Sequence, residues 1–165
     1  MIVVADTSPI NYLILIDEIE ILSLLYDQIA VPKAVLSELR ADETPDSVIA
    51  WVDNAPAWFT VSPVTLLLAG NLPELDEGEK QAIALFEEIN ADALIIDERA
   101  GRQESAKRGI FVIGTLGVLN SAAEKGFLDL PNALSKLKQT SFRASEKLIA
   151  ELLLFDAKRK NFENS

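Results

Sequence analysis

Five apolar runs, each only four residues long, constrain the fold more than any other feature of the sequence: Ile2–Ala5, Gln28–Val31, Trp58–Val61, Ala93–Ile96 and Ile110–Ile113. Runs so short and so uniformly apolar suit strands buried on both faces. Helical signals separate them. Ser8-Pro9 reads as a helix start, with Ser as cap and Pro in the first position, and Pro32 opens "VPKAVLSELR". Further helical stretches follow at Asp46–Asp53, Gly78–Asn90, Glu98–Arg108, Leu116–Lys125 and Pro131–Lys138. The last, Ser145–Lys158, places Leu148, Ile149, Leu152 and Phe155 on one face. Strands alternating with helices predict an α/β fold: a three-layer α/β/α sandwich around a central, mainly parallel, five-stranded sheet.

At 165 residues the chain suits one domain, expected over residues 1–155, followed by a polar tail, 156–165, expected to fray. No stretch approaches the roughly 18 apolar residues of a membrane span, and Asp6 falls where a signal peptide would need an apolar core. A cytoplasmic protein with no membrane partner is the expectation. The apolar connection "VTLLLAGNL", around Leu66–Leu68, reads either as packing over the sheet edge or as a contact patch for another chain.

The sequence contains neither Cys nor His. That removes disulfides, thiolate nucleophiles, Cys/His zinc sites and every mechanism with an imidazole base. Carboxylates, hydroxyls, amines and a hard metal ion remain. A formal charge of -11 opposes non-specific attraction to nucleic acid, so a nucleic-acid substrate would need local counter-charge, which a divalent cation supplies.

In open parallel sheets ligands bind beyond the carboxyl ends of the strands. Asp6 ends the first strand, Asp97 the fourth, and Gly114-Thr115 follows the fifth. Glu79 shares the apolar face of its helix with Ala82, Ile83 and Phe86, so it points inward, and Glu38 borders the buried stripe of its own helix. Asp97 taken alone could cap the helix that follows it, and Asp76 with Glu79 matches a capping box. Asp6 has no such local role once Ser8-Pro9 starts the helix. Four acids meeting at one pocket would raise one another's pKa unless a cation sat between them. Magnesium or manganese suits an all-oxygen donor set.

The fragments "VVADTSPINYLILI", "VPKAVLSEL", "LDEGEKQAIAL", "LIIDERAGR" and "GTLGVL" occur in an order that resembles PIN-domain proteins, and most resemble a bacterial subgroup of VapC-like toxins. The resemblance implies a compact α/β/α nuclease fold and a ribonuclease dependent on Mg2+ or Mn2+. Matched by motif, it implies Asp6, Glu38, Glu79 and Asp97 as catalytic acids. Asp6, Glu79 and Asp97 would be metal ligands, with Glu38 and Glu98 as further candidates. Thr7, Ser8 and Thr115 match supporting hydroxyls. Arg99 and Arg102 are candidates for RNA phosphates, whereas Lys107 and Arg108 read as a solvated helix face. A toxin would have a basic antitoxin partner and is expected to form a homodimer. The rival within the fold is a catalytically inactive PIN module that binds a protein partner. A phosphorylated receiver domain does not fit, because the third strand runs into "SPV" and the fifth into "GTLG". A haloacid-dehalogenase-like phosphatase would need Asp where Ser8 stands.

Overall fold

The computed structural model describes residues 1–165, and all five expected strands are present in one parallel sheet. They are β1 (Ile2–Ala5), β2 (Gln28–Pro32), β3 (Phe59–Ser62), β4 (Ala93–Ile95) and β5 (Val112–Ile113), in the order β3-β2-β1-β4-β5. Val3 pairs with both Ile29 and Ala93, which makes β1 the centre of the sheet. Nine helices surround it: α1 (Thr7–Leu15), α2 (Ile21–Leu25), α3 (Lys33–Leu39), α4 (Asp46–Asp53), α5 (Glu77–Ile89), α6 (Arg99–Lys107), α7 (Thr115–Glu124), α8 (Leu130–Lys138) and α9 (Glu146–Glu163).

Alternation along the strands divides the interior in two. Val3, Ala5, Ile29, Val31, Ala93 and Ile95 join the larger core, with apolar residues of α1, α2, α3, α4, α7 and α8. Val4, Ala30, Leu94 and Ile96 point the other way, onto Ala82, Ile83 and Leu85 of α5. The three-layer α/β/α architecture follows directly from this two-sided burial. No helix is long and apolar enough to cross a membrane.

Several local expectations are corrected. Helix α1 begins at Thr7, not at Ser8-Pro9, and Asp6 occupies the N-cap position. Pro9 still fits, because the amides of the whole first turn lack partners within the helix. The five-residue α2 was not expected, being too short to show a period and having no side-chain cap. Strand β5 is shorter than Ile110–Ile113, since the Ile110 amide closes the end of α6 on the Ser105 carbonyl at 3.0 Å.

The polar stretch read as a tail is helical: α9 continues to Glu163. Its buried stripe is Ile149, Leu152, Leu153 and Asp156, rotated from the expected one, so that Phe155 faces solvent. Asp156 is 1% exposed and paired with Arg159 and Lys160, which accounts for a helix persisting through a polar segment. In the Leu66–Leu68 connection, Leu68 packs on the smaller core whereas Leu67 is exposed.

Candidate metal centre

The chain leaves β1 for α1 and β2 on one side of the sheet, and leaves β4 for α6 and β5 on the other. A crevice therefore opens between the carboxyl ends of β1 and β4, the usual ligand position in such sheets. Asp6 and Asp97 stand on its two sides.

Asp6 is 3% exposed, and its Oδ1 has no hydrogen-bond partner. Although it holds the N-cap position of α1, with extended backbone at φ -82°, its side chain makes no capping bond. Burial pushes its pKa up to about 7; the Thr7 amide opposes the rise, and Asp76, Glu79 and Glu38 add to it.

Glu38 arrives from α3 and is half-buried. It accepts a hydrogen bond from the Thr7 hydroxyl. Burial raises its pKa, the Thr7 hydroxyl opposes that, Asp76 adds to it and the Gly78 amide lowers it. Its carboxylate thus lies against the N-terminus of α5, where free amides favour negative charge. The approach requires glycine: a Cβ on Gly78 would stand 2.6 Å from Glu38 Oε2.

Asp76 caps α5. Its Oδ1 accepts from the Glu79 amide at 2.7 Å, and Glu79 Oε2 accepts in return from the Asp76 amide at 3.3 Å, completing the expected capping box. Glu79 is 4% exposed and points inward, as its helical position implies. Burial raises its pKa to about 7, with Asp76 next in effect and smaller contributions from Glu98 and Glu38.

One oxygen each from Asp6, Glu38 and Asp76 can be chosen so that all lie within 4.8 Å of one another. Asp76 is the residue that sequence reading missed, because its capping role accounted for it fully. Capping uses only Oδ1, and the signal lies in where the α5 N-terminus points: at the rim, onto Glu38.

Asp97 is differently placed. Its Oδ1 accepts from the Thr115 amide at 2.7 Å and its Oδ2 from the Thr115 hydroxyl at 2.6 Å, so it caps α7 rather than α6. Burial raises its pKa, while Thr115 and Arg102 pull it down. Arg102 is held beside it by a 3.1 Å bond from Nη1 to the Ile96 carbonyl. Glu98, the other candidate of this pair, is exposed at the N-cap position of α6 without making a capping bond. Lys107 is exposed beside Glu104, whereas Arg108 is partly buried in ion pairs with Glu104 and Glu87.

A family model described as PIN domain matches residues 2–156. The chain belongs to the PIN-domain family. PIN domains are generally nucleases that use divalent metal ions. This PIN domain is similar in structure to a PilT N-terminus domain protein from the hyperthermophilic archaeon Sulfolobus solfataricus P2, at 14% identity and a TM-score of 0.48, over 88% of this chain and 100% of that one. No curated protein matches it.

The residues fit a divalent cation. All available donors are carboxylate oxygens, the set that hard divalent ions prefer. A buried carboxylate oxygen with no partner is costly in any protein. In this PIN domain the orphan, Asp6 Oδ1, belongs to the residue that shares a cluster with Glu38 and Asp76.

Proposed function

We propose that this PIN domain is a metal-dependent endoribonuclease, the toxin of a toxin–antitoxin pair, working with Mg2+ or Mn2+. The unpartnered Oδ1 of buried Asp6, within the Asp6–Glu38–Asp76 cluster, is the observation that carries the reading. Asp6, Glu38 and Asp76 would hold the ion, with Glu79 behind them. A divalent ion supplies a more acidic water and neutralisation of charge on a phosphate.

The protein's own groups prepare the site for that chemistry. Thr7 fixes the Glu38 carboxylate, and the α5 amides support its charge. Glu79 holds the α5 cap from which Asp76 projects. Asp97, fixed by Thr115, anchors the far side of the crevice, where Arg102 can meet phosphate. Family resemblance supplies the expected products, a 5′-phosphate and a 3′-hydroxyl. It also supplies the toxin role: an acidic rim on a chain of charge -11 suits a basic antitoxin segment, and exposed Leu66 and Leu67 offer an apolar contact for a homodimer.

A second reading, an inactive PIN module, is favoured by one observation: both oxygens of Asp97 are already committed to Thr115. Purified protein should cleave single-stranded RNA in Mn2+ or Mg2+ and lose that activity in EDTA. Hydrolysis that persists in EDTA would refute the metal mechanism, and metal binding without hydrolysis would establish the inactive module.

A further inference from the structure

A cleft of about 860 Å³ opens on the Asp97 side of the crevice. One wall is α1, with Ser8 and Tyr12, and another carries Arg102 from α6. The third is the connection between α8 and α9, with Ser141, Phe142 and Arg143. That connection is tied down. Tyr12 and Phe142 meet edge to face with centroids 5.1 Å apart, and the Tyr12 hydroxyl lies 3.0 Å from Ser141 Oγ. Ser8 also lines a second cleft of about 370 Å³, which contains Thr7 and Glu38. The two clefts thus share Ser8, in the first turn of α1 beside Thr7.

The distribution of arginine is uneven. Arg40, Arg108 and Arg159 are each ion-paired. Arg99, Arg102 and Arg143, the other three of the six in the sequence, make no ion pair. All three line cavities that contain Asp97: Arg102 and Arg143 the large cleft, Arg99 and Arg102 its neighbour. On a chain of charge -11, three guanidinium groups without an ion-pair contact, sharing the field of the single acid Asp97, leave net positive charge for an anion. Aromatic rings beside unpaired arginines are the combination that binds single-stranded nucleic acid, through bases and phosphates together.

We infer that this cleft seats single-stranded RNA on one side of the scissile phosphate. Arg143 and Arg102 grip the backbone, and the Tyr12–Phe142 pair serves as a platform for a base. The strand then crosses the acids at Ser8 and leaves along the Glu38 cleft. This rests on the nuclease reading above, and it adds the α8–α9 connection as a positioning element.

The test uses the full chain. Initial rates on a fluorogenic single-stranded RNA in Mn2+ are measured beside anisotropy of a labelled oligonucleotide of the same sequence in Ca2+. Arg143 is exposed and without an ion-pair partner, so R143A should fold normally. It should raise KM about tenfold with little change in kcat, weaken binding by a similar factor, and reduce the slope of log affinity against log salt by about one. R143K should restore most of the binding, and R40A, at a paired arginine outside the cleft, should change neither quantity. F142A should weaken binding about tenfold without changing the salt slope. If RNA is cleaved but R143A and F142A leave KM and anisotropy unchanged, the cleft assignment is wrong and the nuclease reading stands. If RNA binds in an Arg143-dependent way but is never cleaved, the cleft assignment stands and the nuclease reading falls. If no RNA binds, the cleft assignment falls.

Discussion

Two aspartates end adjacent strands of one sheet, and their surroundings are opposite. Asp6 is almost fully buried, surrounded by acids, and has an oxygen without a partner. Asp97 is half-buried and burial raises its pKa as well, but both of its oxygens are satisfied by Thr115, and Thr115 and Arg102 oppose the rise. Burial costs both carboxylates, but one has an oxygen unmet and the other has both oxygens met. Position at a strand end therefore selects candidates, and hydrogen-bond satisfaction separates a carboxylate with an open oxygen from one whose oxygens are both taken.

The largest expected effect breaks the symmetry of that pair. Asp6→Asn should lower Mn2+ affinity and RNA cleavage by more than about 100-fold, since it removes an anionic ligand, where loss of an outer-shell partner costs about 10- to 100-fold. Without metal it should stabilise the protein at about pH 8, where native Asp6 would be ionised and uncompensated. At about pH 5 native Asp6 is protonated and the gain should vanish. Asp97→Asn should do the reverse. The amide keeps an acceptor for the Thr115 N–H but loses the charged acceptor of its hydroxyl, so the substitution should cost stability, by at most about 1 kcal/mol, with a smaller loss of Mn2+ affinity. Thermal melts at the two pH values and metal titrations measure both. Equal behaviour of the two variants would end the distinction.

A smaller effect is expected at Gly78, which acts on the Asp6 side alone. A methyl group there would have to displace the Glu38 carboxylate or the start of α5. Gly78→Ala should cost about 1–3 kcal/mol and weaken Mn2+ about tenfold, a magnitude in the range for groups that orient ligands. The Asp97–Thr115 cap should be untouched. Unchanged metal affinity in a folded G78A protein would show that Glu38 is not a ligand.

The sheet was legible because its strands are short, mostly apolar and separated by helix starts, and their alternation with helices implied parallel pairing and the layers; the strand order was not read from the sequence. Glu79 was legible from its helical face, and Asp6 from its place after β1. The remainder depended on which group meets which donor, and that is not local. Ser8-Pro9 carries a strong start signal, yet the helix begins two residues earlier, at Thr7, whose hydroxyl then reaches Glu38 across 31 positions of sequence. Asp97 was matched to a metal role by motif, while its partner, Thr115, is 18 residues away on another helix. Asp76 was hidden by a correct assignment: it does cap α5, and the same placement brings it to Asp6 and Glu38.

The subtlest test concerns protons. Asp6 and Glu79 both have pKa values raised to about 7, chiefly by burial, against ordinary values of 3.8 and 4.5. Between the ordinary and raised values the native state holds more protons than the unfolded chain. Stability of the metal-free protein should therefore be greatest below about pH 4, fall as pH rises toward about 7, and level off above it, as far as these two groups decide it. Binding of a cation needs the ionised forms, so it must expel the protons these acids still hold. Calorimetry of Mn2+ binding in buffers of different ionisation heat should detect up to about two protons released at about pH 6 and close to none at about pH 8.5. Stabilisation by saturating Mn2+ should grow over the same interval. Asp6→Asn should remove about half of the release at pH 6, whereas Asp97→Asn should leave most of it. If proton release instead followed Asp97, the cation would be sitting on the Thr115 side of the crevice, and the two strand ends would have to exchange roles.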